Sequence, residues 1–311
     1  MSDTYRATGA ATGPLGSTTA AGTVANPAAN AAANPAANAA ATAASSEGDN
    51  KRRVVRDKLQ MTGLRAGYGH LEILRGVDLL IESGEFVTLL GPNGAGKSSL
   101  LKTLFGMTTH KGGETYWKGK RISGLPSHEI LKRGIAYVPQ GRCNFPMMSV
   151  AENLELATFT VRDTDKVADR EYVYDLFPIL RSRRDQFAGN LSGGEQQLLE
   201  MAMAVLRHPE ILLIDEPSVG LSPQATTIVF DELKRLHEAG KTIVLVEQNT
   251  KRAMAYAERA IVLRLGQVIW DSPVADLSHA HLGELFMQGN HGQRADQVSG
   301  AVVQAALRAT S

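Results

Sequence analysis

Phe86-Val87-Thr88-Leu89-Leu90-Gly91-Pro92-Asn93-Gly94-Ala95-Gly96-Lys97-Ser98-Ser99-Leu100-Leu101-Lys102-Thr103-Leu104 begins with an apolar run of strand length, turns through three glycines and continues in a helical pattern. This is the G-x-x-x-x-G-K-S phosphate-binding loop in the strand, loop and helix context it requires. Glycine lets successive backbone N–H groups turn inward as an anion nest, and the helix start adds positive dipole. Lys97 is expected to reach the β- and γ-phosphates of a nucleotide, and the Ser98 hydroxyl to ligate Mg2+. Gly91, Pro92, Asn93, Gly94, Ala95, Gly96, Lys97, Ser98 and Ser99 are therefore the candidate nucleotide site. A glycine-rich turn with a helix cap would explain the glycines and serines, but neither Lys97 nor the whole nine-residue string.

Further along the chain, Ile135 to Val138, Ile211 to Ile214 and Ile243 to Val246 are apolar runs of the same length. Such runs suit central parallel strands covered on both faces. Val77, Leu79 and Ile81 alternate with Asp78 and Glu82, the period of a strand with one buried face. Ile261 to Trp270, broken at Leu265-Gly266, reads as a closing hairpin. The stretch from about Val150 to Phe187 reads as mainly helical. Together these predict a doubly wound α/β core with a helical insert.

The run Ile211 to Ile214 ends in Asp215-Glu216. An acid at the end of a buried strand near a phosphate loop can hold Mg2+ through water, and its neighbour can polarise an attacking water as general base. Asp215 is the candidate for the first role and Glu216 for the second. Upstream, Leu191-Ser192-Gly193-Gly194-Glu195-Gln196-Gln197 precedes an apolar helical run. Ser192 and Glu195 fit a capping box for that helix. The box does not require Gly193 and Gly194, whose backbone can approach an external anion, here the γ-phosphate of ATP held by another copy of the fold.

The order of these motifs resembles the ABC ATPase family, and the resemblance spans Leu59 to about Gln288. It implies an α/β fold: a P-loop NTPase core of mostly parallel sheet with helices on both faces, an N-terminal antiparallel β subdomain and an inserted helical subdomain at about 141–190. It implies two subunits that sandwich two ATPs, each held by one subunit's P-loop and the other's Ser192-Gly193-Gly194-Glu195 signature. On the same pattern Tyr68 corresponds to the aromatic that stacks on adenine. Gln140 corresponds to the glutamine that senses Mg2+ and the γ-phosphate. Two positions depart from the common pattern. Gln248 stands where a switch histidine is usual, and Gln can hydrogen-bond a γ-phosphate but cannot carry a proton. Ser222 stands where an Asp is usual, which puts its contact across the dimer in question.

Val-Glu-Gln-Asn at 246–249, Glu-Pro-Ser-x-Gly-Leu-Ser-Pro at 216–223 and Tyr-Val-Pro-Gln-Gly-Arg at 137–142 are similar to the ATPase branch serving branched-chain amino acid importers and their urea or amide relatives. That branch implies a second, non-identical ABC ATPase subunit, two transmembrane permeases and, indirectly, a periplasmic solute-binding protein. It also implies a position on the cytoplasmic face of the plasma membrane. Phe145, Pro146, Met147 and Met148 lie where the family receives the permease, and subdomain core is the competing reading. A soluble ABC ATPase that moves no solute stays open as an alternative. Translation-type members carry two motor domains and this chain has one P-loop, while repair-type members insert long coiled coils and no sustained heptads interrupt this core. Lipid-exporter motors usually retain the switch histidine.

Composition narrows the rest. The chain has 311 residues, with 33 Lys and Arg against 32 Asp and Glu, so no basic excess points to nucleic acid. Cys143 is the only cysteine, which excludes an internal disulfide and a cysteine metal cage. No apolar run approaches the roughly 20 residues that cross a bilayer, and the N-terminus lacks a secretory apolar segment. Residues 1–58 read as a disordered Ala/Asn/Thr/Pro tail ending in a basic linker of Lys51, Arg52, Arg53, Arg56 and Lys58. Residues 289–311 read as a C-terminal tail.

Overall fold

The computed structural model describes residues 57–158 and 166–287; residues 1–56, 159–165 and 288–311, and with them the predicted N-terminal and C-terminal tails apart from Asp57 and Lys58, lie outside the described residues. In chain order the elements are β1 (Lys58–Tyr68), β2 (Leu71–Glu82), β3 (Phe86–Leu90), α1 (Lys97–Leu104), β4 (Thr109–Trp117), β5 (Lys120–Arg121), α2 (Ser127–Lys132) and β6 (Ile135–Val138). Then follow α3 (Val150–Thr158), α4 (Lys166–Leu176), α5 (Pro178–Ser182), α6 (Gly193–Val205), β7 (Ile211–Asp215), α7 (Pro223–Glu238), β8 (Thr242–Val246), α8 (Thr250–Tyr256), β9 (Arg259–Arg264), β10 (Gln267–Pro273) and α9 (His279–Met287).

The described strands form two sheets. One has the order β10-β9-β3-β8-β7-β6, and the other is β2-β1-β4-β5. In the larger sheet every pairing from β9 to β6 is parallel, and β10 closes the edge antiparallel to β9, as the predicted hairpin requires. The smaller sheet is antiparallel throughout.

Successive residues of the central strands enter two different apolar clusters, the consequence of a two-residue side-chain period in strands buried on both faces. Phe86 and Leu90 of β3, Leu212 and Ile214 of β7, and Ile243 and Leu245 of β8 pack with residues of α3 to α7 on one face. Val87 and Leu89, Leu213, and Val244 and Val246 pack on the other face with Leu100, Leu101 and Leu104 of α1, Ile130 of α2 and the smaller sheet. The helices between β6 and β7 place Leu154, Val173, Phe177 and Leu180 in the first of these clusters.

β1 and β4 lack a clean alternation. β4 reads Thr-His-Lys-Gly-Gly-Glu-Thr-Tyr-Trp, and its pairing with β1 is interrupted by register shifts. Lys58, grouped by composition with the basic linker, is the first residue of β1. It lies opposite Glu82, with its Nζ 2.8 Å from Glu82 Oε1.

The alternation also fixes the site. Asp215 follows Ile214 and so shares a face with Leu213, the face on which α1 lies. The end of β7 and the start of α1 are thereby brought together.

Candidate active site

The phosphate loop leaves β3 at Gly91, whose φ is 147°, and a Cβ there would sit 2.2 Å from the Leu263 carbonyl oxygen of β9. No side chain fits that approach. Within the loop Ala95 N–H donates to Pro92 O (3.1 Å), and Leu100 N–H donates to Gly96 O (2.8 Å) as α1 begins. The N–H groups of Lys97, Ser98 and Ser99 lie in the first helical turn, where no carbonyl of α1 can accept from them. Lys97 folds back over its own loop: Nζ donates to Gly91 O at 2.8 Å and Pro92 O at 3.1 Å. Burial pulls its ammonium below the usual lysine range, while the charges of Glu216 and Asp215 oppose that shift. The lysine thus lies in the field of both acids.

Ser98 Oγ donates to Asp215 Oδ1 at 2.8 Å, joining the P-loop to the end of β7 across the chain. Tyr137 OH donates to the other oxygen, Oδ2, at 3.0 Å. Tyr137 lies beside Leu213 in the β6–β7 register, so it faces the same side as Asp215 two residues on. Burial first, then the charge and hydrogen bond of Asp215, push its phenol well above the usual tyrosine range, and Tyr68 adds to the shift. Tyr68 itself ends β1 and is exposed. Ser98 and Asp215 offer hard oxygen donors, the chemistry that suits Mg2+ shared with phosphate oxygens and water. Among the described residues no cluster of three His, Cys, Asp or Glu side chains offers an all-protein metal cage.

Glu216 is 8% exposed and adopts φ 47°, the left-handed region that costs a residue with a side chain roughly 1–2 kcal/mol. Its N–H donates to Val246 O of β8 at 2.8 Å, which continues the sheet one residue past β7. Gln140 Nε2 donates to Glu216 Oε2 at 2.8 Å, and Gln248 Nε2 donates to the same oxygen at 2.6 Å. The P-loop, Asp215, Glu216, Gln140 and Gln248 therefore converge.

Ser192, Gly193, Gly194 and Glu195 form the start of α6, and their polar side chains are spent locally. Glu195 N–H donates to Ser192 Oγ (3.3 Å), Ser192 N–H donates to Glu195 Oε2 (2.8 Å), and Arg183 lies 3.5 Å from Glu195 Oε1. The capping box is present as expected. Ser222 caps α7, its hydroxyl accepting from Ala225 N–H at 3.2 Å.

Tyr137, Ser218 and Glu247 also belong to this assembly; they lie within the stretches 137–142, 216–223 and 246–249, where sequence alone assigns them no role. A tyrosine inside an apolar strand that neighbours the acid-bearing strand is the signal for the first. Glu247, 2% exposed, accepts from Ser218 Oγ and from the N–H groups of Gln248 and Asn249. Only its position directly after a buried strand hints at that burial.

Comparison with known proteins agrees with this geometry. A family model described as ABC transporter matches residues 74–219. The chain is 40% identical over 223 residues to the high-affinity branched-chain amino acid transport ATP-binding protein BraG of Pseudomonas aeruginosa, covering 71% of this chain and 96% of that one. The chain belongs to the ABC transporter ATP-binding family. It is also 42% identical over 232 residues to the probable branched-chain amino acid transport ATP-binding protein LivF of Archaeoglobus fulgidus, covering 74% of this chain and 98% of the relative. Among solved structures, MJ1267, an ATP-binding cassette of an ABC transporter, superimposes with a TM-score of 0.68 at 23% identity, covering 74% of this chain and 99% of that chain. A dimeric post-hydrolysis state of the ATP-binding cassette MJ0796, bound to ADP and Pi, gives a TM-score of 0.61 at 28% identity, covering 70% and 98%. The ABC cassette is an ATPase domain that binds ATP. Among the described residues no helix is long and apolar enough to cross a membrane.

Proposed function

We propose that this ABC ATPase powers uptake of branched-chain amino acids through permease partners, on the cytoplasmic face of the plasma membrane. The observation that carries the mechanism is the single oxygen of Glu216 that receives both Gln140 and Gln248, beside the Ser98–Asp215 pair. Glu216 acts as general base, taking a proton from the water that attacks the γ-phosphate. Lys97 and the N–H groups at the start of α1 bind the β- and γ-phosphates. Ser98, Asp215 and the amide oxygen of Gln140 would hold Mg2+. When bound, Mg2+ neutralises charge on the β- and γ-phosphate oxygens. Gln248 donates an N–H toward the γ-phosphate in place of a histidine, and Tyr68 stacks on adenine.

The Ser192 to Glu195 turn of one subunit closes over the ATP of the other, a reading supported by the dimeric ADP- and Pi-bound cassette related to this chain. The partner ATPase is a non-identical chain, and the permeases work with a periplasmic solute-binding protein. The amino-acid cargo is supported by the branched-chain amino acid transport ATP-binding proteins to which the chain is 40% and 42% identical. Phe145 and Met147 are 46% and 84% exposed, which favours permease docking over a role in subdomain core.

Glu216→Gln tests the base. Nucleotide binding is expected to persist while hydrolysis falls by about two orders of magnitude, the scale of a lost general base. Turnover near the wild-type rate would overturn the assignment. Leucine-dependent stimulation of turnover in the complex that co-purifies with the chain tests the cargo, and stimulation by urea alone would replace it.

A further inference from the structure

Glu247 sits at the hub of a ring of bonds around the proposed base. Its Oε1 accepts from Gln248 N–H and Asn249 N–H, each at 3.0 Å, and Ser218 Oγ lies 2.9 Å and 2.8 Å from its two oxygens. Ser218 is two residues past Glu216, and Gln248 donates back to Glu216 Oε2 at 2.6 Å. The ring thus runs from Glu216 along the chain to Ser218, across to Glu247, along the chain to Gln248 and back to Glu216. A second tie, Glu216 N–H to Val246 O at 2.8 Å, crosses it.

We infer that Glu247 is a positioning residue for hydrolysis, locking the Gln248 amide onto Glu216 by holding Ser218 and the backbone of residues 248 and 249. This inference rests on Glu216 being the base. Three physical facts converge on it. Glu216 is held at φ 47°, a strained conformation that persists only where neighbours over-determine it, and the Ser218 to Glu247 bond fixes the chain just beyond it. Gln248 is exposed and its side chain has one more rotatable bond than a histidine, so its amide needs a fixed backbone to return to one place. A carboxylate that is 2% exposed is costly to bury unless its acceptors are used, and here its donors, Ser218, Gln248 and Asn249, belong to the two loops that flank the base.

The test is steady-state ATP turnover by the full chain with the partners that co-purify with it, measuring kcat and KM for Mg-ATP. Because Glu247→Ala removes a buried hub and can unfold the chain, Ser218 carries the decisive variants. Ser218→Ala is expected to lower kcat by about fivefold to tenfold with KM changed less than about twofold, the pattern of a misplaced catalytic group. Ser218→Thr, which keeps the hydroxyl, is expected to recover at least half of the loss. Combining Ser218→Ala with Gln248→Ala is expected to cost less than the product of the two single losses, since both act on one amide. An unchanged kcat in Ser218→Ala, no recovery in Ser218→Thr, or a fully multiplicative double loss each overturns the inference. Glu216→Gln in the same assay separates the two readings: turnover surviving there removes the base, whereas turnover lost there with Ser218→Ala unaffected removes only the role of Glu247.

Discussion

Gly194 lies in the first turn of α6, buried against α7, and a Cβ built on it would stand 2.7 Å from Ala225 Cβ. Ordinary carbon contacts lie at about 3.5–4.0 Å, so Gly194→Ala demands roughly 1 Å of separation between two helices. The obstacle is a methyl stub on a backbone, which has no rotamer to escape into. Overpacking of this kind costs about 1–3 kcal/mol, partly offset by up to about 1 kcal/mol of helix propensity gained when Gly becomes Ala. The variant is therefore expected to lose about 0.5–2 kcal/mol in equilibrium urea unfolding of the full chain. Ala225→Gly alone should cost about 0.5–1 kcal/mol, for the backbone freedom that Gly adds to a helix. The double variant removes the overlap, so it should be more stable than the sum of the singles by about 1–3 kcal/mol. Additivity within about 0.5 kcal/mol would refute the packing argument. Turnover completes the test. Recovery of stability without recovery of ATPase activity would show that the missing Cβ also serves the phosphate of the opposing subunit.

Two further outcomes follow from the site and its surroundings. Tyr137→Phe removes the donor to Asp215 Oδ2 and is expected to raise the Mg2+ concentration for half-maximal turnover by about tenfold, the low end for a lost partner of a metal ligand, the role proposed for Asp215, with little change in kcat at saturating Mg2+. An unchanged Mg2+ dependence would remove the tyrosine from the proposed metal site. Burial raises the Glu200 carboxyl above its ordinary 4.5, against the opposing N–H donors of Cys143 and Asn144. A folded-state value above the unfolded one means that the folded chain holds its proton longer, so this group's contribution is fully present below about pH 4.5 and is lost as pH rises through the folded value. Thermal unfolding of Glu200→Gln against wild type should show the difference moving in the variant's favour as pH rises from that point. A difference that is flat, or that moves the other way, would overturn this.

The parts of the fold legible in sequence are those where one physical constraint acts alone. β3, β6, β7 and β8 are buried on both faces, so their apolar runs are continuous and bounded, and the strands fall where the runs do. β1 and β4 face a core on one side only and are bent by register shifts, and the Gly112-Gly113 pair erases the alternation in β4. In the site, Lys97, Ser98, Asp215 and Glu216 are legible because each sits at a junction of elements that the local sequence marks. Tyr137, Ser218 and Glu247 owe their roles to register between strands distant in sequence. Tyr137 and Asp215 are 78 positions apart, and Ser218 and Glu247 are 29 apart, separations that no local pattern encodes.

The geometry also bears on how the proposed base can respond to events at a surface. β7 lies between β6 and β8, and the loops leaving those two neighbours bring Gln140 and Gln248 onto Glu216 from either side. A primary amide has two N–H groups, so each glutamine can keep Glu216 with one and still offer the other to a phosphate oxygen. The loop after Gln140 runs directly to Cys143 and Asn144; the backbone N–H of Cys143 donates to Glu200 Oε1 of α6 at 2.7 Å, and Asn144 Nδ2 donates to the same oxygen at 3.1 Å. It continues to Phe145, whose N–H and carbonyl are both held by Asn153 of α3, at 2.8 Å and 3.0 Å. Phe145 and Met147 face outward from this stretch. A contact made there is five residues of chain from Gln140, and the intervening backbone is pinned to α6, the helix that begins with Ser192 to Glu195. The apolar edge, the turn at Ser192 to Glu195 and the proposed base Glu216 are thereby tied into one contiguous network of bonds, of the kind through which sites in a cassette can be coupled. Glu200 and Asn153 are its fixed points.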